Sequence, residues 1–249
     1  MQFSTFFEHA LDLLAPPRKT EKIVRTLSLT ELHSLTLSTH GGPHDRDTHV
    51  ERISLLPYRN PSVAALVWEL KYYANRRAQT LAGSLLAEVL LDLASEEIGR
   101  IVLIPIPMHP KRRKERGYNQ TELLCKAALA ALSEKTSLRK GPRISSLRSA
   151  RPFSSRSFFS DSFDYRPDLL VRVRHTAPQQ GLPQHRRLKN VKNAMTLKNL
   201  TDRSAPDLTD RVCVLVDDVA TTGATLAEAR RALKASGARR VYCVALAGA

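Results

Sequence analysis

Val212-Cys213-Val214-Leu215-Val216-Asp217-Asp218-Val219-Ala220-Thr221-Thr222-Gly223-Ala224-Thr225 is the stretch that decides the fold. Its first five residues are apolar and mostly β-branched, the pattern of a strand covered on both faces in a parallel sheet. The two carboxylates are expected to end that strand. A turn of small and hydroxylated residues follows and leads into a helix over Leu226 to Ser236, with Leu226, Ala229, Ala232 and Leu233 on one face and Gly237 as its stop. Val241 to Leu246 is a second apolar strand. The segment is therefore a βαβ unit with its loop at a carboxyl strand end, where open α/β sheets hold ligands.

The chemistry of that loop narrows the ligand. Amides of the turn from Thr221 through Thr222, Gly223 and Ala224 to Thr225 lie at a helix N-terminus, where partial positive charge and unpaired N–H donors suit a phosphate. Glycine allows close backbone approach, and the threonine hydroxyls add donors. Asp217 and Asp218 repel phosphate but accept hydrogen bonds from a pair of sugar hydroxyls, or face a hydrated cation. Phosphate at one end and vicinal hydroxyls at the other describe a ribose 5-phosphate. Two plainer readings compete. An ATPase strand would need a G-x-x-x-x-G-K-[ST] loop, which none of the ten glycines opens. A structural turn with Thr225 as N-cap would require neither the two acids nor Thr-Thr-Gly.

The stretch resembles the 5-phosphoribosyl-1-pyrophosphate (PRPP) motif of type I phosphoribosyltransferases, two acids followed by Thr-Thr-Gly. That resemblance implies ribose hydroxyls on Asp217 and Asp218, and the 5-phosphate on the loop from Thr221 to Thr225.

A chain of 249 residues buries a substantial core, with one domain plus appendages as the default. The formal charge of +15 and pI near 10.2 exceed what solubility requires and imply a polyanionic partner or a phosphate-attracting surface. No apolar run is long enough for a membrane span, and the N-terminus lacks a signal pattern, so a cytoplasmic protein is expected. Cys125, Cys213 and Cys243 stand apart beside apolar residues, which predicts buried thiols rather than a zinc pattern or a disulfide framework.

Residues 1–50 read as an N-terminal helix and variable extension. Phe3, Phe6, Phe7, Ala10, Leu11, Leu13 and Leu14 form a helical stripe ended by Pro16 and Pro17. Glu8 and Asp12 on its polar side argue for docking on protein rather than on a membrane surface. Residues 18–50 are polar and weakly periodic, and His40, His44 and His49 are spaced irregularly, as solvated loop histidines are. The domain proper is assigned to 51–249. A helix from Ser62 with Val63, Leu66, Val67 and Leu70 inward leads to Lys71-Tyr72-Tyr73, and a second helix covers Arg77 to Leu93. Arg100 to Pro107 is another buried strand, followed by a turn from Met108 to Gln120 that carries Lys111, Arg112, Arg113, Lys114 and Arg116, then Gly117, Tyr118, Asn119 and Gln120. Most basic runs are solvated, but placement between a buried strand and a helix start favours an anion site.

Residues 139–168 read as an insertion rich in Ser and Arg, with Phe153, Phe158, Phe159, Phe163 and Tyr165 interleaved. Both a single-stranded nucleic-acid surface and a loosely packed basic loop fit that composition. Leu169 to Val173 reads as a strand, and the residues from Arg174 to Pro183 as a loop.

Together these pieces resemble the ComF family, phosphoribosyltransferase-like proteins associated with DNA uptake in naturally competent bacteria. From about Tyr58 onward, Leu70-Lys71-Tyr72 matches the family's Leu-Lys-Tyr element. Ile104 to His109, followed by Arg116-Gly117-Tyr118-Asn119-Gln120, matches its Pro-Val-Pro and Arg-Gly-Phe-Asn-Gln signature. Thr176, Gln179, Leu182, Arg187, Asn190 and Val191 fall at the spacing of its mobile-loop segment. The family's cysteine-rich zinc module after Leu-Leu-Pro is replaced by Leu13-Leu14-Ala15-Pro16-Pro17 with no cysteine before Cys125, so no zinc is expected; Met195 stands where the family often has phenylalanine.

The resemblance implies a type I phosphoribosyltransferase-like α/β fold, a parallel sheet flanked by helices. Magnesium would arrive with PRPP, since it prefers phosphate oxygens and water to an all-protein cage. Pyrophosphate would lie near Lys111, Arg112, Arg116, Gly117, Asn119 and Gln120, with Arg116 and Arg187 neutralising its departure. Three roles fit: a ligand-binding protein of DNA uptake that engages single-stranded DNA or a competence helicase, an active phosphoribosyltransferase of nucleotide metabolism or salvage, and a PRPP-responsive regulator.

Overall fold

The computed structural model describes residues 17–36, 52–138, 162–173, 193–198 and 207–248. The expected helix over 2–14, the histidines at 40, 44 and 49, the insertion from 139 to 161, and the loop residues Thr176, Gln179, Arg187 and Asn190 lie outside them. Among the described residues no helix is long and apolar enough to cross a membrane.

Five parallel strands make the central sheet, in the order β1 (Arg52–Pro57), β7 (Arg240–Gly248), β6 (Val212–Ala220), β2 (Ile101–Pro105) and β3 (Phe163–Tyr165). Burial on both faces explains why β2 and the first half of β6 read as unbroken apolar runs. Helices α3 (Pro61–Tyr73), α4 (Arg76–Glu96) and α6 (Gln120–Leu138) cover one face, where Leu66, Leu86, Leu90 and Leu124 meet Leu103, Val214 and Val244. The other face carries α7 (Ala224–Ala235), with Leu226, Ala229 and Leu233 packed on Cys213, Leu215 and Cys243. A two-stranded antiparallel hairpin, β4 (Leu170–Arg172) with β5 (Met195–Leu197), adds Leu170, Met195 and Leu197 to that second core. All three cysteines are buried and outside any disulfide, as their apolar neighbours predict, and burial pushes the Cys213 thiol up to about 12.

Chain order places the crevice. From β2 the chain crosses by α6 to β3 at one edge, while from β6 it crosses by α7, on the opposite face, to β7. The two crossovers diverge between β2 and β6, so the carboxyl ends of these neighbouring strands flank the switch point at which open sheets bind ligands.

The structure corrects the sequence reading in four places. β6 does not stop at the carboxylates: ladder pairing of Asp217 with Ala245, Val219 with Ala247 and Ala220 with Gly248 carries it through both acids. The stretch from Met108 to Gln120 is not a turn throughout, because Pro110–Arg116 is a helix, α5, with His109 Nδ1 accepting from Lys111 N (3.2 Å), Pro110 at its start and Gly117 at φ 84° closing it. The end of the supposed insertion is built into the sheet: β3 pairs with β2, Phe163 is buried and Tyr165 packs against the same core, so neither ring is available for base stacking. Residues 17–36 are not a loose extension. Two short helices, α1 (Lys19–Thr26) and α2 (Leu29–Leu35), bury Val24, Leu27 and Leu32 in the first core, and Arg77 donates to the carbonyls of Val24 and Leu27 at 2.8 Å each.

Candidate functional site

Because β6 continues through Asp217 and Asp218, the strand pleat sends the two side chains to opposite faces of the sheet edge. Their surroundings differ accordingly. Asp218 faces the helices: Gln120 Nε2 donates to its Oδ2 (3.2 Å), and Lys71 Nζ stands 3.8 Å from the same oxygen. Asp217 faces the hairpin side, where Arg172 of β4 is its electrostatic counterpart. Both carboxylates are almost wholly buried, and each accepts from the next backbone N–H at 2.9 Å. Burial first, and then the adjoining Asp218 charge, pushes the Asp217 carboxyl well above the usual carboxylate range. Burial likewise lowers the Arg172 guanidinium, against the pull of Asp217.

These groups border an open cleft of about 820 Å3 over the carboxyl ends of β1, β2 and β6. Thr221 and Thr225 line it from the turn that follows β6. Gly223 supplies the left-handed turn (φ 70°) and is the N-cap of α7, so Thr225 is not the cap but sits in the first helical turn, facing the cleft. Thr222 lies within the turn, its Oγ1 3.5 Å from Ala224 N, and Ala224 is buried at the helix start; neither residue, nor Gly223, lines the cleft. The helix end, with its partial positive charge, therefore opens beside the two acids.

The basic run is sorted by its helix. In α5, Arg112 and Arg116 are four residues apart, so both reach the cleft, with Glu115 between them on the same face. Lys111 is exposed and does not line it, and Arg113 is taken up by an ion pair with Glu122. Gly117 serves the chain reversal rather than the cleft. Asn119 borders the cleft but is committed to structure: its Nδ2 donates to the Ile106 carbonyl (3.1 Å) and its Oδ1 accepts from Thr121 Oγ1 (2.8 Å). Thr121 Oγ1 bonds the same Ile106 carbonyl at 2.8 Å, so the Pro105–Pro107 exit of β2 is tied to the start of α6. Gln120 joins two candidates: it accepts from Arg116 Nη1 (3.0 Å) while donating to Asp218.

Lys71, Tyr72 and Arg172 also border the site and were not among the residues expected there. Leu70-Lys71-Tyr72 was legible as an element, but only tertiary structure brings it to the cleft, where Tyr118 OH donates to the Lys71 carbonyl (3.2 Å). Arg172 carried no signal beyond its place in a strand. Among the described residues no three His, Cys, Asp or Glu side chains are grouped as a metal cage would require.

A switch-point cleft with two acids near the carboxyl end of the central strand and a Thr-Thr-Gly turn at a helix N-terminus defines a type I phosphoribosyltransferase-like fold. Residues 167–249 match the family model for the phosphoribosyl transferase domain. The chain is 30% identical over 190 residues to the DNA utilization protein YhgH of Salmonella typhi, covering 74% of this chain and 67% of that protein. It is 31% identical over 147 residues to competence protein F of Haemophilus influenzae, covering 59% of this chain and 50% of that one. A shorter match, 59% identical over 39 residues, covers 16% of this chain and 12% of a ribose-phosphate pyrophosphokinase from Haemophilus ducreyi. The chain belongs to the ComF family.

Proposed function

We propose that the cleft binds PRPP, or a ribose 5-phosphate ligand of the same shape, and that this binding serves the handling of incoming DNA. The observation that carries the reading is the placement of Asp217 and Asp218 beside the N-terminus of α7 on one cleft edge, with Arg112 and Arg116 on the other. In this reading the 5-phosphate lies on the turn from Thr221 to Thr225, the ribose hydroxyls donate to the carboxylates, and the pyrophosphate lies toward Arg112, Arg116 and Lys71. Lys71 and Gln120 orient Asp218 toward the sugar, ready to accept. The described donor set fits magnesium held mainly by diphosphate oxygens and water, since among the described residues Asp217, Asp218 and Glu115 are the carboxylates that line the cleft. Magnesium would supply charge neutralisation for the diphosphate. The names of the relatives, a competence protein and DNA utilization proteins, support a role in using DNA.

A second reading, an active phosphoribosyltransferase, draws on Arg112 and Arg116 where a departing pyrophosphate would need positive charge. One experiment serves both. Calorimetric titration with PRPP and magnesium is expected to give saturable heat that disappears in the Asp217→Asn/Asp218→Asn double variant. Absence of heat from folded wild-type protein would refute ligand binding. Where binding is seen, pyrophosphate release on adding nucleobases separates the enzyme from the binding protein.

A further inference from the structure

Helix α3 ends in a cluster that the ribose-phosphate reading does not use. Trp68 and Tyr72, four residues apart on one helical face, form a tilted aromatic pair with ring centroids 4.3 Å apart. They remain 45% and 40% exposed, and with Tyr73, Ile98 and Val173 they are the exposed large apolar side chains among the described residues. Two cations lie over the Tyr72 ring: the Arg116 guanidinium 5.0 Å and Lys71 Nζ 5.9 Å from its centre. Tyr72 borders the cleft, and its neighbour Lys71 reaches to 3.8 Å from Asp218. The platform is fixed from behind, because buried Glu69 accepts from Arg18 (2.9 Å), Thr20 (2.6 Å) and Asn75 (3.1 Å) and so pins the end of α3 to α1. Flat, exposed rings flanked by Arg and Lys, one residue from a sugar-binding carboxylate partner, suit a planar heteroaromatic ring attached to an anionic sugar phosphate.

We propose that Trp68 and Tyr72 are the stacking surface for the nucleobase of a nucleotide whose sugar and phosphate occupy the adjoining cleft. The inference rests on the ribose-phosphate reading and specifies the base-bearing side of the same site. Trp68 is the only tryptophan of the chain, so its fluorescence reports the platform directly. Wild-type protein is titrated in parallel with AMP, UMP, PRPP with magnesium, and a single-stranded dT oligonucleotide. Saturable quenching by at least one mononucleotide, and none by PRPP, is the expected result. Calorimetry then compares variants: Trp68→Ala should weaken mononucleotide binding roughly tenfold or more, Trp68→Phe should restore most of it, and PRPP affinity should be unchanged in both. PRPP binding without quenching by either mononucleotide would overturn the platform and leave the ribose-phosphate reading standing. Quenching by the oligonucleotide alone would overturn it in favour of a strand-binding surface. Mononucleotide quenching in a protein that gives no heat with PRPP would support the platform and sink PRPP as the ligand.

Discussion

Gly83 offers the sharpest test of how the site is supported. It lies in α4 where α6 crosses, and a Cβ placed there would stand 2.6 Å from Ala127 Cβ, 2.7 Å from the Ala127 carbonyl carbon and 2.9 Å from Ala128 N. Carbon pairs are most favourable at about 3.5–4.0 Å, so Gly83→Ala leaves a shortfall of about 1 Å. Two of the three close atoms are backbone, and none can swing aside. Overpacking of this kind costs roughly 1–3 kcal/mol, and at the upper end where helices must separate. Alanine returns about 1 kcal/mol of helix propensity over glycine. The net expectation is a loss of about 1–2 kcal/mol, or a melting temperature lower by roughly 2–8 °C for a chain of this size. Thermal unfolding followed by circular dichroism gives the number. Adding Ala127→Gly removes only the methyl contact, so the double variant should remain well below wild type. A Gly83→Ala protein more stable than wild type would refute the close helix contact.

The carboxylate pair predicts a pH effect. Asp217 titrates above its unfolded value, so its contribution to stability is complete below the ordinary aspartate range and is lost as pH rises through the native value. Asp217→Asn keeps the acceptor for Asp218 N and cannot ionise. The variant should melt higher than wild type at pH 7, with the gap closing as pH falls toward 4 on the order of an ordinary aspartate pKa; a lower melting temperature at pH 7 would contradict the assignment. Asn119→Ala should cost about 1–3 kcal/mol in denaturant unfolding, because it removes a donor from the buried Ile106 carbonyl and an acceptor from Thr121. Wild-type stability in that variant would show that these bonds do not hold the β2 exit.

Much of the fold is legible in the sequence. The run Val212–Val216 could only be a buried strand, and the Thr-Thr-Gly turn that follows could only be compact, so β6, α7 and β7 were legible in order. The basic run after β2 reads in the sequence as charge, not as a helix that separates Arg112 and Arg116 from Lys111. The signals for α5 were present in His109, Pro110 and Gly117. Ser28 and Glu31 likewise formed a capping box, with Ser28 N donating to Glu31 Oε2 at 2.7 Å, in a stretch that periodicity alone left unassigned. Helices of seven residues are too short to show a stripe, so for α2 and α5 the caps carry the information.

By itself, then, the sequence determined the βαβ core, the two acids, the phosphate-suited turn and the family, because all of these are local patterns of side chain and backbone. Tertiary structure decided which charges share a site. Pairing with β7 kept Asp217 and Asp218 inside the strand and so turned them to opposite faces, one toward Arg172 and the other toward Lys71 and Gln120. That outcome depends on contacts between distant residues, 98 positions apart for Gln120 and Asp218 and farther still for Lys71 and Asp218, and no local pattern specifies which distant side chain a strand end will meet.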